Sequence, residues 1–486
     1  MKKSILFLLM MPLFLQAQTF KKTELDRIVK EAFAQQKVAG ASVLIAQNGK
    51  IILNKGYGFA HLGFRVPATP QTKYFTSVGG TFIIAAAIMQ QVEKGHLSLD
   101  DDITKYLPQF NVQGHKITIR HLLTSTSGVP DYHYLGDPYD GQTYQPKASD
   151  EVIDLFANKP LTIIPGTKYD HSISNSALLV AILEKVSKQS YEDYLKVNFI
   201  IPIGLHETEY LTGKKLITQF AEGYRIVDSS FYPATESLLK FDLSRRMVTT
   251  TGDIYKLFEG FKNGKVVSKN SFMLMTSRDE AANNNSPNFG YQFRLNKEEH
   301  FDAFGNSGSL QGFSYSSFYY PQKDLTLIIL TNTGSQNARD MGRQIARKIL
   351  RLSPLPVKET PIKILADLPL TTDEKLSITG TYVITRKMIE QTSPLTPNMY
   401  KRTVRVFIET NRLMLQQFGE LPEPLLNQAD GNFAVQAYPQ TVIYFKKENN
   451  NLIMHRGVSS SFLDSGARIG NADVKTFHGA AFENLK

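Results

Sequence analysis

Ser77 stands at the start of a segment that is apolar on every side, Phe82-Ile83-Ile84-Ala85-Ala86-Ala87-Ile88-Met89. A helix without a polar face must be buried. Lys94 falls in its last turn, and Gly95 follows as the residue that lets the chain leave the helix. The N-terminus of a buried helix carries unpaired N–H groups and the positive end of the helix dipole. A serine there is placed to act as a nucleophile or to hold an anion. Other candidate chemistries are weaker. The histidines, among them His61, His96, His115, His121 and His133, lack zinc-ligand spacing such as H-E-x-x-H. Gly79-Gly80 lacks the G-x-x-x-x-G-K-[ST] frame of a phosphate-binding loop. Neither a metal nor a cofactor is expected.

The rest of the chain must position that serine. Its 486 residues suggest more than one domain. The formal net charge is +10, but the basic residues are dispersed, without the run that a nucleic-acid arm would need. Residues 1–17 read as a secretory signal: Lys2 and Lys3, an apolar core from Ile5 to Leu15, and a small-residue exit ending at Ala17. Cleavage after Ala17 removes two lysines and no acid, so +10 becomes +8. The apolar core is too short to span a bilayer. There is no cysteine, which excludes disulfides, thiolate zinc sites and lipid attachment through a cysteine. The expectation is a periplasmic or secreted protein without a membrane anchor.

The pattern predicts an amphipathic helix over Lys21 to Gln36, then strands over Ala41 to Gln47 and Lys50 to Gly58 joined by an Asn48-Gly49 hairpin turn. A short helix or turn is expected over Ile117 to Thr124, and helices over Ala148 to Asn158, Ser176 to Ser187, Tyr191 to Phe199 and from Asp253 to about Phe261. Asp131 to Lys147 reads as a long surface loop. Strands over Phe289 to Leu295, Tyr315 to Tyr320 and Leu325 to Thr331 precede a closing helix over Asn337 to Leu352. This is an α+β arrangement: one antiparallel sheet flanked by helices, with a helical subdomain in the middle. Residues 353–371, with Pro354, Pro356, Pro361 and Pro369, form a stiff linker between a domain over 18–352 and one over 372–486. Beyond the linker the period becomes alternating, from Ile378 to Arg456, which predicts a small all-β barrel or sandwich.

Several segments, in order, resemble the serine β-lactamase and penicillin-binding-protein superfamily, and its class C-like hydrolases most. They are Y-F-T-S-V from Tyr74, then V-E-K-G-H-L-S-L-D-D-D-I-T-K-Y-L-P, then I-T-I-R-H-L-L-T-S-T-S-G-V-P-D-Y, P-G-T-K-Y, and S-G-S-L-Q-G-F-S-Y-S-S-F-Y-Y-P. The resemblance covers Leu25 to Leu352 and implies a β-lactamase/transpeptidase-like fold. Asp100-Asp101-Asp102 resembles that family's helix-capping turn. The all-β tail resembles the small lipocalin-like domain often fused to such hydrolases.

The resemblance implies three sets of catalytic side chains, and the sequence departs at each. Where the family has Ser-x-x-Lys, this chain has Ser77-Val78-Gly79-Gly80: the nucleophile is kept and the lysine is Gly80. Where it has Tyr-x-Asn, an ungapped count gives His171-Ser172-Ile173; a small shift brings in Ser174-Asn175. Where it has Lys/His-Thr/Ser-Gly, the chain reads Asn306-Ser307-Gly308. Arg245-Arg246-Met247 replaces a usual Gly-Gly-Leu.

The resemblance leaves two readings. In one, the protein is an exported homologue with impaired catalysis, a pseudoenzyme without β-lactamase activity. It binds a small-molecule, peptide or glycan ligand of the envelope, or a protein, with a further protein contact through the C-terminal domain. Gly79, Gly80, Ser172, Asn306, Ser307, Gly308 and the backbone N–H of Ser309 line its cleft, and Arg245 and Arg246 supply charge for a carboxylate. In the other, a Ser77–His171 dyad works as a rewired esterase or peptidase.

Overall fold

The computed structural model describes residues 20–76, 80–132, 149–212, 214–227, 230–234, 246–279, 288–310, 312–334, 337–355, 367–388, 401–417, 423–428, 431–435, 438–448, 451–458 and 462–470. Residues 1–17, expected to be a signal, Ser77, Gly79, Arg245 and residues 133–148, expected to lie in a surface loop, fall outside the described residues.

The main sheet is built on β1 (Gly40–Gln47) and β2 (Lys50–His61). Asn48 and Gly49 both take positive φ, as the tight hairpin between them requires. Short strands follow: β3 (Val66–Pro67), β4 (Tyr74–Phe75), β5 (Glu209–Tyr210), β6 (Tyr224–Val227), β7 (Ser230–Pro233) and β8 (Met247–Thr249). Then come β9 (Arg294–Glu298), β10 (Phe301–Leu310), β11 (Phe313–Tyr320) and β12 (Leu325–Thr331). The seven-stranded antiparallel sheet has the order β3-β2-β1-β12-β11-β10-β9. The first and last parts of the domain therefore meet at its centre, β1 against β12.

The helices are α1 (Lys22–Ala34), α2 (Thr81–Glu93), α3 (Ile119–Leu123), α4 (Ser149–Asp154), α5 (Ser174–Ser187), α6 (Tyr191–Leu195), α7 (Ile201–Ile203), α8 (Thr251–Lys262), α9 (Lys269–Met275) and α10 (Asn337–Ile349). Two apolar layers sandwich the sheet. Leu25, Val29 and Ile28 of α1 and Met341, Ile345 and Ala346 of α10 pack on one face through Val43, Ile45 and Ile329. The other face, with Leu44, Ile328, Leu330, Phe313 and Tyr315, meets α2, α5 and α8.

α2 is buried from Thr81 to Met89, as its composition demands. It packs against α5, itself buried from Ser174 to Leu183. Gln91 in the last turn of α2 donates to the Tyr194 hydroxyl, just beyond the C-terminus of α5. The two helices therefore run the same way, and their N-termini open at one end of the molecule.

The sequence expectation for the strand before β10 was displaced. Phe289 to Phe293 crosses from the helical layer toward the sheet, and the strand proper is Arg294–Glu298. Gln292 takes a left-handed φ of 59°, which an extended strand cannot contain. No helix among the described residues is long and apolar enough to cross a membrane.

The C-terminal region begins with α11 (Thr372–Ile378), capped by Thr371 and Glu374 in a capping box. The strand expected from Ile378 starts only at Gly380. Then β13 (Gly380–Met388), β14 (Lys401–Glu409), β15 (Arg412–Gln417), β16 (Glu423–Asn427), β17 (Phe433–Val435), β18 (Tyr438–Glu448), β19 (Asn451–Val458) and β20 (Phe462–Gly470) close into a barrel. Alternate residues fill its interior, among them Tyr382, Val404, Val406, Leu415, Phe433, Ile443 and Met454.

Candidate functional site

Gly80 is the residue before α2, and its carbonyl accepts from Ile83 and Ile84. Thr81, the first helical residue, lies under β10. The Asn306 side-chain amide donates to Thr81 Oγ1 at 3.3 Å and to the Gln292 carbonyl at 3.3 Å, and its oxygen accepts from Ser307 N at 2.9 Å. Asn306 is only 3% exposed. Gly80 and Asn306, which stand where the resemblance implies a lysine and a lysine or histidine, are thus neighbours in space, and both are neutral. Lys73, another amine on this side of the chain, does not fill the gap. Its ammonium is 2.8 Å from Glu209 and 3.2 Å from Glu207. Burial works against the charged amine there, but the bonds to Glu209 and Glu207 outweigh it and raise its pKa.

Strand alternation divides the third motif between two faces. Asn306 and Gly308 face α2. A Cβ at Gly308 would come 3.0 Å from the ring of Tyr315, its cross-strand partner, so the tyrosine ring covers this position. Ser307 and Ser309 pair with Ser316 and Ser314. Ser316 lies against Gly342 of α10, and Ser314 Oγ accepts from Ala338 N. The Ser307 and Ser309 side chains therefore share the α10 face, and only their backbone borders the cleft. β9 pairs with β10 from Phe301 to Gly305 and stops. From Asn306 onward one edge of β10 has no strand partner among the described residues.

The second motif enters α5. His171 is exposed, whereas Ser172 is buried with its hydroxyl unpartnered among the described residues. Ser174 Oγ donates to the Pro130 carbonyl and accepts from Tyr132 N. Asn175 is fully buried and accepts from Ser127 Oγ at 2.6 Å, while its amide nitrogen has no partner among the described residues. The small shift toward Ser174 and Asn175 thus finds polar groups that the ungapped count, ending in Ile173, does not.

Ser127 belongs to a loop fixed on every side. Ser125 takes a positive φ of 55° and Gly128 one of 75°. The Ser125 carbonyl accepts from Asp170 N, Thr126 from Gly166 and Gly128 from Thr162. α3 precedes this loop and is capped by Thr118, with His121 completing a capping box. Burial, then the charge of Arg120, holds the His121 pKa below its ordinary value. Gln292, between the layers, donates through its side chain to the Leu122 and Leu123 carbonyls at 3.2 Å each.

Arg246 needs correction as a ligand-facing charge. It is 0% exposed, and its guanidinium donates to the Leu211 carbonyl at 3.4 Å. It directly precedes Met247, whose carbonyl accepts from Thr76 N. Sequence reasoning missed Ser127, Gln292 and Tyr315. Ser127 sat in a segment already quoted for its resemblance, whereas Gln292 carries no local signal.

The profile of the family described as Beta-lactamase matches residues 25–350. The chain belongs to that family. Among curated relatives, Protein flp of Staphylococcus aureus strain N315 is 28% identical over 321 residues, 64% of this chain and 63% of that protein. The chain thus spans less than two thirds of that relative. A putative penicillin-binding protein, PbpX of Bacillus subtilis strain 168, is 26% identical over 69% of this chain and 82% of its own length. Among solved structures, the octameric penicillin-binding protein homologue from Pyrococcus abyssi aligns with a TM-score of 0.60 at 21% identity. It covers 92% of this chain and 100% of its own. The sheet with its helices is the β-lactamase/transpeptidase-like fold, and the β13–β20 barrel is a small all-β domain after it.

Proposed function

We propose that this β-lactamase-family protein is exported, has lost ordinary acyl-transfer catalysis, and binds a peptide, glycan or protein ligand of the cell envelope. The Asn306–Thr81 hydrogen bond carries this reading. It closes the space between the two positions at which the resemblance implies a basic side chain. Removing a base from a catalytic unit costs on the order of 10²–10⁴ in rate. With the lysine and the tyrosine of the motifs absent together, Ser77 has no amine or phenol from the motifs to take its proton.

The edge of β10 from Asn306 onward, without a strand partner among the described residues, supports binding, since such an edge offers main-chain donors and acceptors to an extended ligand. The exposed His171 gives the dyad no added support.

The test is covalent labelling of Ser77 by a fluorophosphonate and by a labelled penicillin. No labelling is expected from either. Stoichiometric acylation that Ser77→Ala abolishes would overturn the reading. An esterase signal removed by His171→Ala would replace it with the dyad.

A further inference from the structure

β6 and β7 form a separate two-stranded hairpin whose base is fixed at Tyr224. The Tyr224 N–H donates to the Gly312 carbonyl at 3.2 Å and the Asn332 carbonyl at 3.0 Å, and its own carbonyl accepts from Gly334 N at 2.9 Å. Gly312 lies in the turn between β10 and β11, so the hairpin rests on the strand pair whose backbone borders the cleft. The approach is close: a Cβ at Gly312 would sit 2.6 Å from the Ala234 Cβ and 2.8 Å from Tyr224 N. The Tyr224 hydroxyl accepts from Leu62 N at 2.7 Å and donates to the Glu222 carboxylate. A shift of the hairpin's base is therefore passed to the β10–β11 turn.

The next residue points to the opposite face. Arg225 pairs with Tyr232, lies 5.7 Å from the centre of its ring, and reaches Glu423 of the barrel strand β16 at 3.5 Å. Both charged side chains are partly buried. β16 itself is buried on two sides. Leu425 and its partner Val435 fill the barrel interior, while Leu426 and its partner Ala434, on the outer face, are only 5% and 4% exposed. A barrel standing alone leaves its outer face to solvent, so this face is covered. At the far end of β16 the Asn427 carbonyl accepts from Leu368 N at 3.0 Å, and Asn427 N donates to the Asp367 carboxylate at 3.3 Å. β16 is thus the docking strand of the barrel, held at Asn427 by the end of the linker and at Glu423 by the hairpin.

We infer that the barrel is a regulatory domain of the cleft. Docked through the Arg225–Glu423 pair, it steadies the hairpin and, through Tyr224, the β10–β11 turn; released, it frees that turn. Adjacent residues do the two jobs, Arg225 gripping the barrel and Tyr224 the edge of the cleft. A partly exposed ion pair suits a contact that opens, since it is weak and is screened by salt. The coupling holds whether the cleft binds or hydrolyses.

The chain has no cysteine, so Ser230→Cys on the hairpin and Thr410→Cys on the barrel place two dyes without ambiguity. Energy transfer between the dyes reads docking, and hydrogen exchange over residues 306–316 reads the turn. Arg225→Glu and Glu423→Arg each set like charges face to face. Each should lower the transfer and speed exchange at the turn by about threefold or more. Arg225→Glu combined with Glu423→Arg restores an opposite pair and should bring both readouts back. Glu423→Arg leaves the hairpin's own residues intact, so its effect on the turn does not come from damage to the hairpin.

Unchanged transfer in either single variant, no recovery in the double variant, or lost transfer with exchange over residues 306–316 as in the parent would overturn the proposal.

Discussion

Asn306 donates to the hydroxyl of Thr81 across the gap between the sheet and α2, and the same amide spends its other groups on Gln292 and Ser307. The side chain is locked, not waiting for a ligand. Asn306→Lys would put an ammonium into this buried place, where no carboxylate partners residue 306 among the described residues. An uncompensated buried charge costs about 3–5 kcal/mol. Urea unfolding should show a loss near the lower end of that range, because a lysine stem can reach toward solvent. Penicillin labelling should not appear, since position 80 still lacks an amine. A variant as stable as the parent would mean that the site already accommodates a cation.

His121 gives a pH prediction. Its Nδ1 accepts from Thr118 N, a role that protonation abolishes. Burial and Arg120 lower its pKa in the folded chain below the ordinary 6.5. The unfolded chain therefore binds the proton first. Stability is fully present above pH 6.5 and falls as the pH drops toward the lowered folded value. His121→Gln keeps a capping-box residue and removes the titration. Melting temperatures from pH 8 to pH 5 should decline less steeply in this variant than in the parent; parallel curves would refute the assignment.

Much of this was legible in the sequence because composition and geometry left little choice. An all-apolar α2 could only be buried, and Asn48-Gly49 could only turn. The barrel strands with strict alternation were readable, whereas β16 carries Pro424, and β20 carries Gly466 and Gly470, which break the pattern. The site was legible as a set of substitutions, not as contacts. Ser307 and Asn306 are adjacent in sequence yet face opposite layers, a split that depends on register. Arg246 reads as a surface charge, yet its place under Leu211 depends on how β8 meets β5. Gln292 acts through a left-handed backbone, which has no local signature.

Gly128 should tolerate no side chain. Its φ is 75°, and a Cβ would sit 2.3 Å from the Ile163 carbonyl oxygen. Gly128→Ala combines backbone strain with a clash against main chain, so the cost should lie at or above the upper end of about 1–3 kcal/mol. The Ser127–Asn175 bond would shift with it. A loss below about 1 kcal/mol in denaturant titration would show that the loop relaxes, contrary to its fixed hydrogen bonds.

Arg120 ties α3 to the crossing segment that carries Gln292. It donates to Asp279 at 2.8 Å, to the Tyr291 hydroxyl at 2.7 Å and to Asp100 at 3.0 Å. Arg120 and Asp279 are both mostly buried, with 16% and 5% of their side chains exposed. Arg120→Met leaves the Asp279 carboxylate buried without its cation, which should cost about 3–5 kcal/mol. Arg120→Met with Asp279→Leu removes both charges and should be less damaging than Arg120→Met alone, because no uncompensated ion remains at that place. The single variant should also disturb the site, since Tyr291 adjoins Gln292 and Gln292 accepts from Asn306. Unfolding free energies for the parent, both single variants and the double variant decide the matter. Additive losses would mean that Arg120 and Asp279 are independently solvated and that α3 is held in place by packing alone.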